Sequence, residues 1–364
     1  MMSRPALLST KVFISLCLSV LFIPGRVSAD SPDQAVDAYV KQQMTKHAIP
    51  GLSVAVVKDG KVVKLKGYGV ASVEFDIPAD GDTVFQLYSV SKIFAGVAAM
   101  KLVEDGRLSL DAPATDFVEN LPPAWKAVRV RHLLTHTSGL PEGPANPRFA
   151  SLPEAKRKGL TAAETIQLAA ALPLKFAPGE KFSYHQSGYV LLGMIVEKLS
   201  GKSYADFLAE RVFAPLAMTS TRFGDTETVV RRRPSTAYNR QSGELRNWVF
   251  PFSVKDYPAA GLNSSAADVS KFLVALEAGR VLKPESLRAM WARAKLNDGT
   301  ESGYGLGWTI GEHKGRKVVG HEGGGSIWVA HFPDERLSVV VLCNLNGARA
   351  DEIQYGVADF YLER

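Results

Sequence analysis

Strand-forming runs stand at the two ends of this 364-residue chain, and helix-forming segments fill the stretch between them. Residues 52–57 and 62–68 are rich in β-branched side chains and flank Asp59-Gly60, a dipeptide that strongly predicts a hairpin turn. Near the other end, strands are predicted at residues 305–311, 317–320, 327–332 and 337–345. The simplest way to bury strands from both ends is to pair them, so one shared antiparallel sheet is expected.

Helices are predicted by apolar residues at helical spacing, both in the middle of the chain and at its ends. The central segments are 91–105, 162–172, 186–200, 203–212, 266–278 and 284–293, and the terminal ones are 32–48 and 351–362. The expected fold class is therefore α+β: an antiparallel β-sheet built from both chain ends, flanked by terminal helices, with an inserted mostly helical lobe. The sheet part is expected over about 30–82 and 300–364, and the helical lobe over about 83–299.

The first 29 residues predict a targeting segment rather than part of the fold. Arg4 and Lys11 precede an apolar run at residues 12–23, and Val27-Ser28-Ala29 supplies the small residues of a cleavage site. The run is about a dozen residues long, shorter than the roughly 20 that span a bilayer. We therefore expect a cleaved signal peptide, a periplasmic or secreted protein of residues 30–364, and no stable membrane span after cleavage. An uncleaved anchor is the alternative.

The charge and cysteine content exclude two other classes. Cleavage removes three basic residues and no acidic one, so the formal charge falls from +6 to +3. No basic stretch is interleaved with aromatic residues, so nucleic acid is not an expected partner, and Arg231-Arg232-Arg233 is predicted to be a solvated loop. The mature chain keeps only Cys343, in an apolar run, where a small buried hydrophobe is expected and no internal disulfide can form.

Ser89-Val90-Ser91-Lys92 precedes an apolar helical run at residues 93–102. In a helix that begins near Ser89, Lys92 lies one turn on and on the same face, so its amine can reach the Ser89 hydroxyl. A buried lysine has a lowered pKa and can take the proton of a serine, which is a poor nucleophile without such help. The motif alone also fits a serine cap followed by a surface lysine, and other motifs must decide between the two.

Three further motifs accompany it: residues 132–140 (HLLTHTSGL), Tyr184-His185-Gln186 and His321-Glu322-Gly323-Gly324-Gly325. In this order and spacing, the chain resembles the serine β-lactamase and penicillin-binding-protein superfamily over residues 32–362. The resemblance is greater to its class C-like branch, which includes D-alanyl-D-alanine carboxypeptidases, D-aminopeptidases and carboxylesterases.

The resemblance implies a role for each matching residue. Ser89 would be the nucleophile, Lys92 the general base or the group that sustains it, and Tyr184 the group that relays a proton to the leaving group, with a phenolate favoured by the nearby lysine. The backbone N–H groups of Ser89 and Gly324 would form the oxyanion hole. Glycines at 323–325 fit that role because they allow the backbone to approach a substrate closely.

Two motifs depart from the family pattern, and both concern substrate binding. Gln186 stands where the second motif usually has asparagine, which leaves an amide that could bind substrate one methylene further out. His321, Glu322 and Gly323 replace the Lys-Thr-Gly of penicillin-recognising members. An imidazole that is largely neutral at pH 7 thus replaces an ammonium that would hold a substrate carboxylate, so weak or absent β-lactam recognition is expected.

Other residues admit competing interpretations. His132 and His136 are four residues apart, but no zinc-protease motif surrounds them, so no metal and no cofactor is expected. Ser326 lacks the glycine that a nucleophile elbow needs. Trp308 and Trp328 are expected in the core rather than in a substrate platform, and residues 262–268 predict a helix cap.

The sequence therefore predicts an exported serine hydrolase that acts through an acyl-enzyme on an ester, amide or peptide. Carboxylesterase, D-amino-acid peptidase and D-alanyl-D-alanine carboxypeptidase activities all stay open. The alternative is a non-catalytic penicillin-binding-like module that binds muropeptides or a partner. Nothing in the sequence predicts an oligomeric state.

Overall fold

A seven-stranded antiparallel sheet joins the two ends of the chain in the computed structural model, which describes residues 1–2, 32–224, 234–248 and 256–363. Its strand order is β3-β2-β1-β12-β11-β10-β9. The strands are β1 Gly51–Lys58, β2 Lys61–Ser72, β3 Ile77–Pro78, β9 Thr309–His313, β10 Arg316–Gly323, β11 Ile327–Phe332 and β12 Leu337–Cys343. The central pair β1–β12 joins one strand from each end, which confirms the shared sheet that the sequence predicts.

Both faces of the sheet are buried at its central strands β1 and β12, and strand β1 shows why. Ala55 and Val57 pack into the apolar cluster of the helical part, whereas Val54 and Val56 pack into a second cluster with the terminal helices. Successive side chains of a strand point to opposite faces, so an almost continuous apolar run suits a strand that is covered on both sides. Cys343 ends β12 in the second cluster, as a buried thiol whose pKa burial raises.

The helices form two groups around the sheet. Helices α1 Pro32–His47 and α11 Ala350–Leu362 pack on one face. The others belong to the inserted part, namely α2 Ser91–Glu104, α3 Val130–Leu134, α4 Pro147–Ser151, α5 Glu154–Lys158, α6 Ala162–Ala170, α7 Ser187–Ser200, α8 Tyr204–Leu208, α9 Ala266–Glu277 and α10 Pro284–Met290. Within the described ranges, no helix combines the length and apolar character needed to cross a bilayer.

A smaller sheet that the sequence does not predict lies inside the helical part. Strand β8 Leu262–Ser265 pairs with β4 Val84–Gln86 on one side and β5 Arg222–Phe223 on the other. Strands β6 Tyr238–Gln241 and β7 Glu244–Asn247 form a separate hairpin. The predicted cap at 262–268 is confirmed, since the Ser265 hydroxyl accepts from the Asp268 N–H at the start of α9.

The strand predicted at residues 305–311 is wrong in its first half, because β9 begins only at Thr309. Gly307 has a φ of +87°, and a Cβ there would lie 2.5 Å from the Lys92 carbonyl oxygen. Such a backbone turns sharply and packs tightly against α2, which an extended strand cannot do. The predicted signal peptide and Arg231-Arg232-Arg233 lie outside the described residues, apart from Met1 and Met2.

Candidate active site

Ser89 lies on a tight turn between β4 and α2. Tyr88 and Val90 flank it in a single 3₁₀ turn, and Tyr88 has a φ of +48°, a conformation uncommon outside glycine. The Ser91 hydroxyl donates to the Tyr88 carbonyl at 2.6 Å and accepts from the Leu262 N–H at 3.1 Å. Strand β8 thereby fixes the turn, and the α-helix begins at Ser91 rather than at Ser89. Lys92 still lies one turn beyond the serine.

The Lys92 side chain is fully buried, and three oxygen atoms surround its amine. Nζ lies 3.3 Å from Ser89 Oγ, 2.9 Å from Gln186 Oε1 and 2.9 Å from the Ala259 carbonyl oxygen. Burial lowers the pKa of Lys92 to about 7, although the charges of Glu142 and Glu322 act in the opposite direction. A neutral amine can donate to Gln186 and Ala259 and turn its lone pair towards the Ser89 hydroxyl.

Tyr184 contacts Ser89 from the other side, since its hydroxyl donates to Ser89 Oγ at 2.8 Å. Its ring also lies 4.8 Å from Lys92 Nζ. The expectation that the lysine favours a phenolate is wrong. Burial raises the pKa of Tyr184 to about 12, the hydrogen bond with Ser89 opposes that shift, and the charge of Glu322 adds to it. Tyr184 is therefore a neutral proton donor at pH 7.

Gln186 and Glu142 connect this pair to helix α7. Gln186 was predicted to bind substrate, and the structure places its amide oxygen on the Lys92 amine. The Glu142 carboxylate accepts from the N–H groups of Gln186 and Ser187 at 2.5 and 3.0 Å and from the Ser187 hydroxyl at 2.8 Å. An anion at a helix N-terminus stabilises the free N–H groups there, so Glu142 fixes the end of α7 beside the site.

The third motif forms the end of β10, next to the Ser89 turn. A Cβ on Gly323 would lie 2.3 Å from the Leu87 carbonyl oxygen, and one on Gly324 would lie 3.1 Å from the Tyr88 ring. Gly324 also has a φ of +58°. Only glycine allows so close an approach, which leaves the backbone after Gly323 alongside the turn that carries Ser89.

His321 and Glu322, at the end of β10, make their hydrogen bonds to groups within the protein. His321 is buried, its Nε2 lies 2.7 Å from the Tyr304 hydroxyl and its Nδ1 lies 2.7 Å from the Glu322 carbonyl oxygen. Burial and then the charge of Lys92 lower the pKa of His321 to about 3, so the imidazole is neutral. The Glu322 carboxylate accepts from the Gly325 N–H, which holds a negative charge at the end of β10.

A layer of buried aromatic residues beneath Tyr184 is the part of the site that the sequence does not identify. Its members are His136, His185, Tyr189 and Tyr304. The sequence identifies the HLLTHTSGL segment only as a family motif and as a poor metal site, and no pattern marks Tyr304 or Glu142. His132 lies apart from this layer, because its Nδ1 accepts from the Arg129 N–H at the start of α3.

A separate cavity of 730 Å³ lies between α6 and α7. Its wall is formed mainly by apolar side chains, among them Phe117, Leu160, Val190 and Met194. None of the residues that line it is Ser89, Lys92 or Tyr184. The chemistry of the Ser89 site is therefore not located in this cavity.

Comparisons with known proteins agree with the motif order. The family model described as Beta-lactamase matches residues 36–361. A solved structure of an octameric penicillin-binding protein homologue from Pyrococcus abyssi is 31% identical, covers 91% of this chain and 78% of that one, and superposes with a TM-score of 0.79. The D-amino acid amidase from Ochrobactrum anthropi SV3, in complex with L-phenylalanine amide, is 28% identical over 91% of this chain and 97% of that one, with a TM-score of 0.75.

Curated relatives include Protein flp of Staphylococcus aureus (strain COL), which is 26% identical over 334 residues. That match covers 88% of this chain but only 64% of the relative. This chain therefore spans less than two thirds of the length of these curated relatives.

Proposed function

This chain belongs to the beta-lactamase family, and we propose that it is an exported serine hydrolase that cleaves an ester or amide through an acyl-enzyme on Ser89. The observation that carries the proposal is the Tyr184–Ser89–Lys92 arrangement: one hydroxyl contacts a proton donor at 2.8 Å and a buried amine at 3.3 Å. A buried amine whose pKa is about 7 is half neutral at physiological pH and matches the needs of a general base.

Acylation begins when Ser89 Oγ forms a bond to the carbonyl carbon of the substrate and its proton passes to Lys92 Nζ. The carbonyl oxygen becomes an oxyanion, which the N–H groups of Ser89 and Gly324 stabilise by donating to it. The tetrahedral intermediate then breaks its bond to the leaving oxygen or nitrogen. Tyr184 protonates that atom and recovers a proton from the Lys92 ammonium, so the net transfer runs from Ser89 to the leaving group.

Deacylation reverses the roles with water as the nucleophile. A water molecule attacks the ester carbon of acyl-Ser89 and loses a proton to the Tyr184–Lys92 pair. The C–O bond to Ser89 Oγ breaks, the serine recovers the proton, and the carboxylic acid product leaves.

The electrostatics of β10 favour substrates without a carboxylate beside the scissile bond. His321 is neutral and faces Tyr304, so this position of β10 supplies no positive charge to a substrate carboxylate. Glu322 supplies a negative charge instead, and a substrate carboxylate placed near it would remain unpaired, which is costly. Neutral esters, and amides with a free amine, fit this charge pattern better than penicillins or D-Ala-D-Ala peptides. One such amide is the L-phenylalanine amide in complex with the D-amino acid amidase from Ochrobactrum anthropi SV3.

A hydrolysis panel tests the proposal with four substrates: p-nitrophenyl acetate, D-phenylalanine p-nitroanilide, a D-Ala-D-Ala peptide and nitrocefin. We expect the highest kcat/KM on the ester or the D-amino acid anilide, and no turnover by Ser89→Ala. A protein that turns over none of them and resists a fluorophosphonate probe would instead be the non-catalytic binding module. A wild type faster on nitrocefin than on the ester would contradict the substrate assignment.

A further inference from the structure

His136 holds an unusual position in the aromatic layer beneath the site. The residue is fully buried and has a φ of +58°, in the left-handed region that is uncommon outside glycine and in which asparagine, aspartate and histidine are the most frequent other residues. Its ring lies 4.3 Å from the Tyr184 ring, centroid to centroid, at an angle of 38°. The strained backbone thus places an imidazole directly against the tyrosine that contacts Ser89.

His136 also holds the backbone on both sides of Tyr184. Its carbonyl oxygen accepts from the Ser183 N–H at 2.9 Å, and its Nδ1 accepts from the His185 N–H at 3.2 Å. The Tyr184 side chain itself is 42% exposed, so these two bonds and the ring contact restrain a residue that has solvent on one side. One residue therefore fixes the neighbours and the ring of Tyr184 together.

The hydrogen bonds also define the protonation of His136. Since Nδ1 accepts, the proton lies on Nε2, and that buried N–H has no hydrogen-bond partner among the described residues. Burial, then His185 and Lys92, hold the pKa of His136 well below its usual value, so His136 adds no second positive charge beside the lysine.

We propose that His136 is a positioning residue for the proposed hydrolase: it holds the Tyr184 hydroxyl against Ser89 so that the proton reaches the leaving group. The inference rests on the proposed function, in which Tyr184 is the proton donor. In this role His136 acts through Tyr184 and not through direct contact with the substrate or Ser89.

A positioning role has a consequence that a merely structural role lacks. A p-nitrophenolate leaves without a proton, whereas an alkoxide from an alkyl ester needs one as the C–O bond breaks. Loosening Tyr184 should therefore slow alkyl ester hydrolysis far more than p-nitrophenyl ester hydrolysis. Because the two rates come from one preparation, their ratio does not depend on how much of the protein is folded.

The test compares p-nitrophenyl acetate and ethyl acetate as substrates of His136→Asn. Asparagine tolerates the positive φ and offers Oδ1 as an acceptor for the His185 N–H, but it lacks the ring that packs on Tyr184. We expect kcat/KM on the alkyl ester to fall by roughly tenfold to 100-fold more than on the aryl ester. His136→Gln is the second variant if the first yields no folded fraction, and His132→Asn, in the same motif but away from Tyr184, should leave the ratio unchanged.

His136→Asn in a Tyr184→Phe background separates a positioning role of His136 from a merely structural one. If His136 acts through the Tyr184 hydroxyl, His136→Asn should alter the alkyl ester rate by less than about twofold once that hydroxyl is gone. Equal losses on both esters, or equal losses in both backgrounds, would overturn the positioning role while leaving an active enzyme. A wild type that hydrolyses neither ester and takes up no fluorophosphonate would overturn the proposed function, and this inference with it.

Discussion

Lys92 shows at the scale of one residue how burial makes a base. Its amine has fixed acceptors in Gln186 and the Ala259 carbonyl and lies 3.3 Å from Ser89 Oγ, so its neutral form can keep two good hydrogen bonds and turn its lone pair towards Ser89. Desolvation disfavours the ammonium and brings the pKa to about 7. An exposed lysine would be almost wholly charged at that pH and could not accept the serine proton.

The pH dependence of kcat/KM should therefore follow Lys92. We expect the rate to rise with pH and to level off above about pH 7, because only the neutral amine is a base and its pKa is lowered from 10.5. Lys92→Met should lose most acylation and, with it, the rise in rate up to about pH 7. Lys101→Met, further along α2, where the amine contacts the Val281 carbonyl, is the matched control and should keep both. A rise in kcat/KM centred near pH 10 would contradict the assignment of Lys92 as the base.

Tyr184→Phe tests the proton donor. Because the pKa of Tyr184 is raised to about 12, the phenol is protonated across the working range, and its removal should cost roughly 10²–10⁴-fold in kcat/KM on amides and alkyl esters. The measurement is steady-state kinetics against Tyr39→Phe, whose hydroxyl donates to the Glu352 carbonyl in the terminal helices. A Tyr184→Phe enzyme within about twofold of the wild type would remove Tyr184 from the mechanism.

At the scale of elements, helix α7 links its own stability to the pKa of Lys92. The Glu142 carboxylate caps the helix and raises the pKa of Lys92 by its charge. Glu142→Gln should shift the rising limb of the pH profile to lower pH, because loss of the anion makes the ammonium less stable. It should also lower the free energy of unfolding by about 0.5–2 kcal/mol, the range for a lost cap.

A second helix provides the control for that prediction. The Glu164 carboxylate accepts from the Thr161 N–H at the start of α6, and Glu164 is not among the groups that shift the pKa of Lys92. Glu164→Gln should change only the stability, which urea unfolding measures, and leave the pH profile in place. A Glu142→Gln profile that stays fixed or moves to higher pH would contradict the electrostatic link.

Glu322, on strand β10, is the residue that we expect to set the preference against substrates with a carboxylate. Glu322→Gln keeps an acceptor for the Gly325 N–H and removes the charge, whereas Glu322→Thr also supplies a hydroxyl. Both should raise the ratio of kcat/KM on nitrocefin to that on p-nitrophenyl acetate, with the larger rise in Glu322→Thr. An unchanged ratio in both variants would show that Glu322 does not oppose a substrate carboxylate.

At the scale of the molecule, the site joins three distant parts of the chain. Ser89 follows β4, Tyr184 precedes α7, and Gly324 follows β10 in the sheet built from both ends. Strand β10 lies so close to the Ser89 turn that Gly323 admits no side chain. Both sheets and one helix must therefore be in place before the site is complete, which makes activity a sensitive measure of the whole fold.

The sequence predicts the parts of this architecture that have local or motif-scale signals. The Asp59-Gly60 hairpin, the terminal helices and the Ser89–Lys92 proximity follow from patterns within a few residues. It does not predict the β4–β8–β5 sheet, because strands this short leave no periodicity, nor the Ala259 carbonyl, because any residue supplies one. The protonation of Tyr184 depends on burial and on Glu322, which only the assembled site defines.

Trapping the covalent intermediate tests the central claim most directly. The protein is incubated with a fluorophosphonate or with p-nitrophenyl acetate and quenched in acid, and the adduct is located by intact mass and peptide mapping. We predict one adduct per chain, on the peptide that contains Ser89, none in Ser89→Ala, and slower formation in Lys92→Met. An adduct on another residue, or undiminished labelling of Ser89→Ala, would contradict the account.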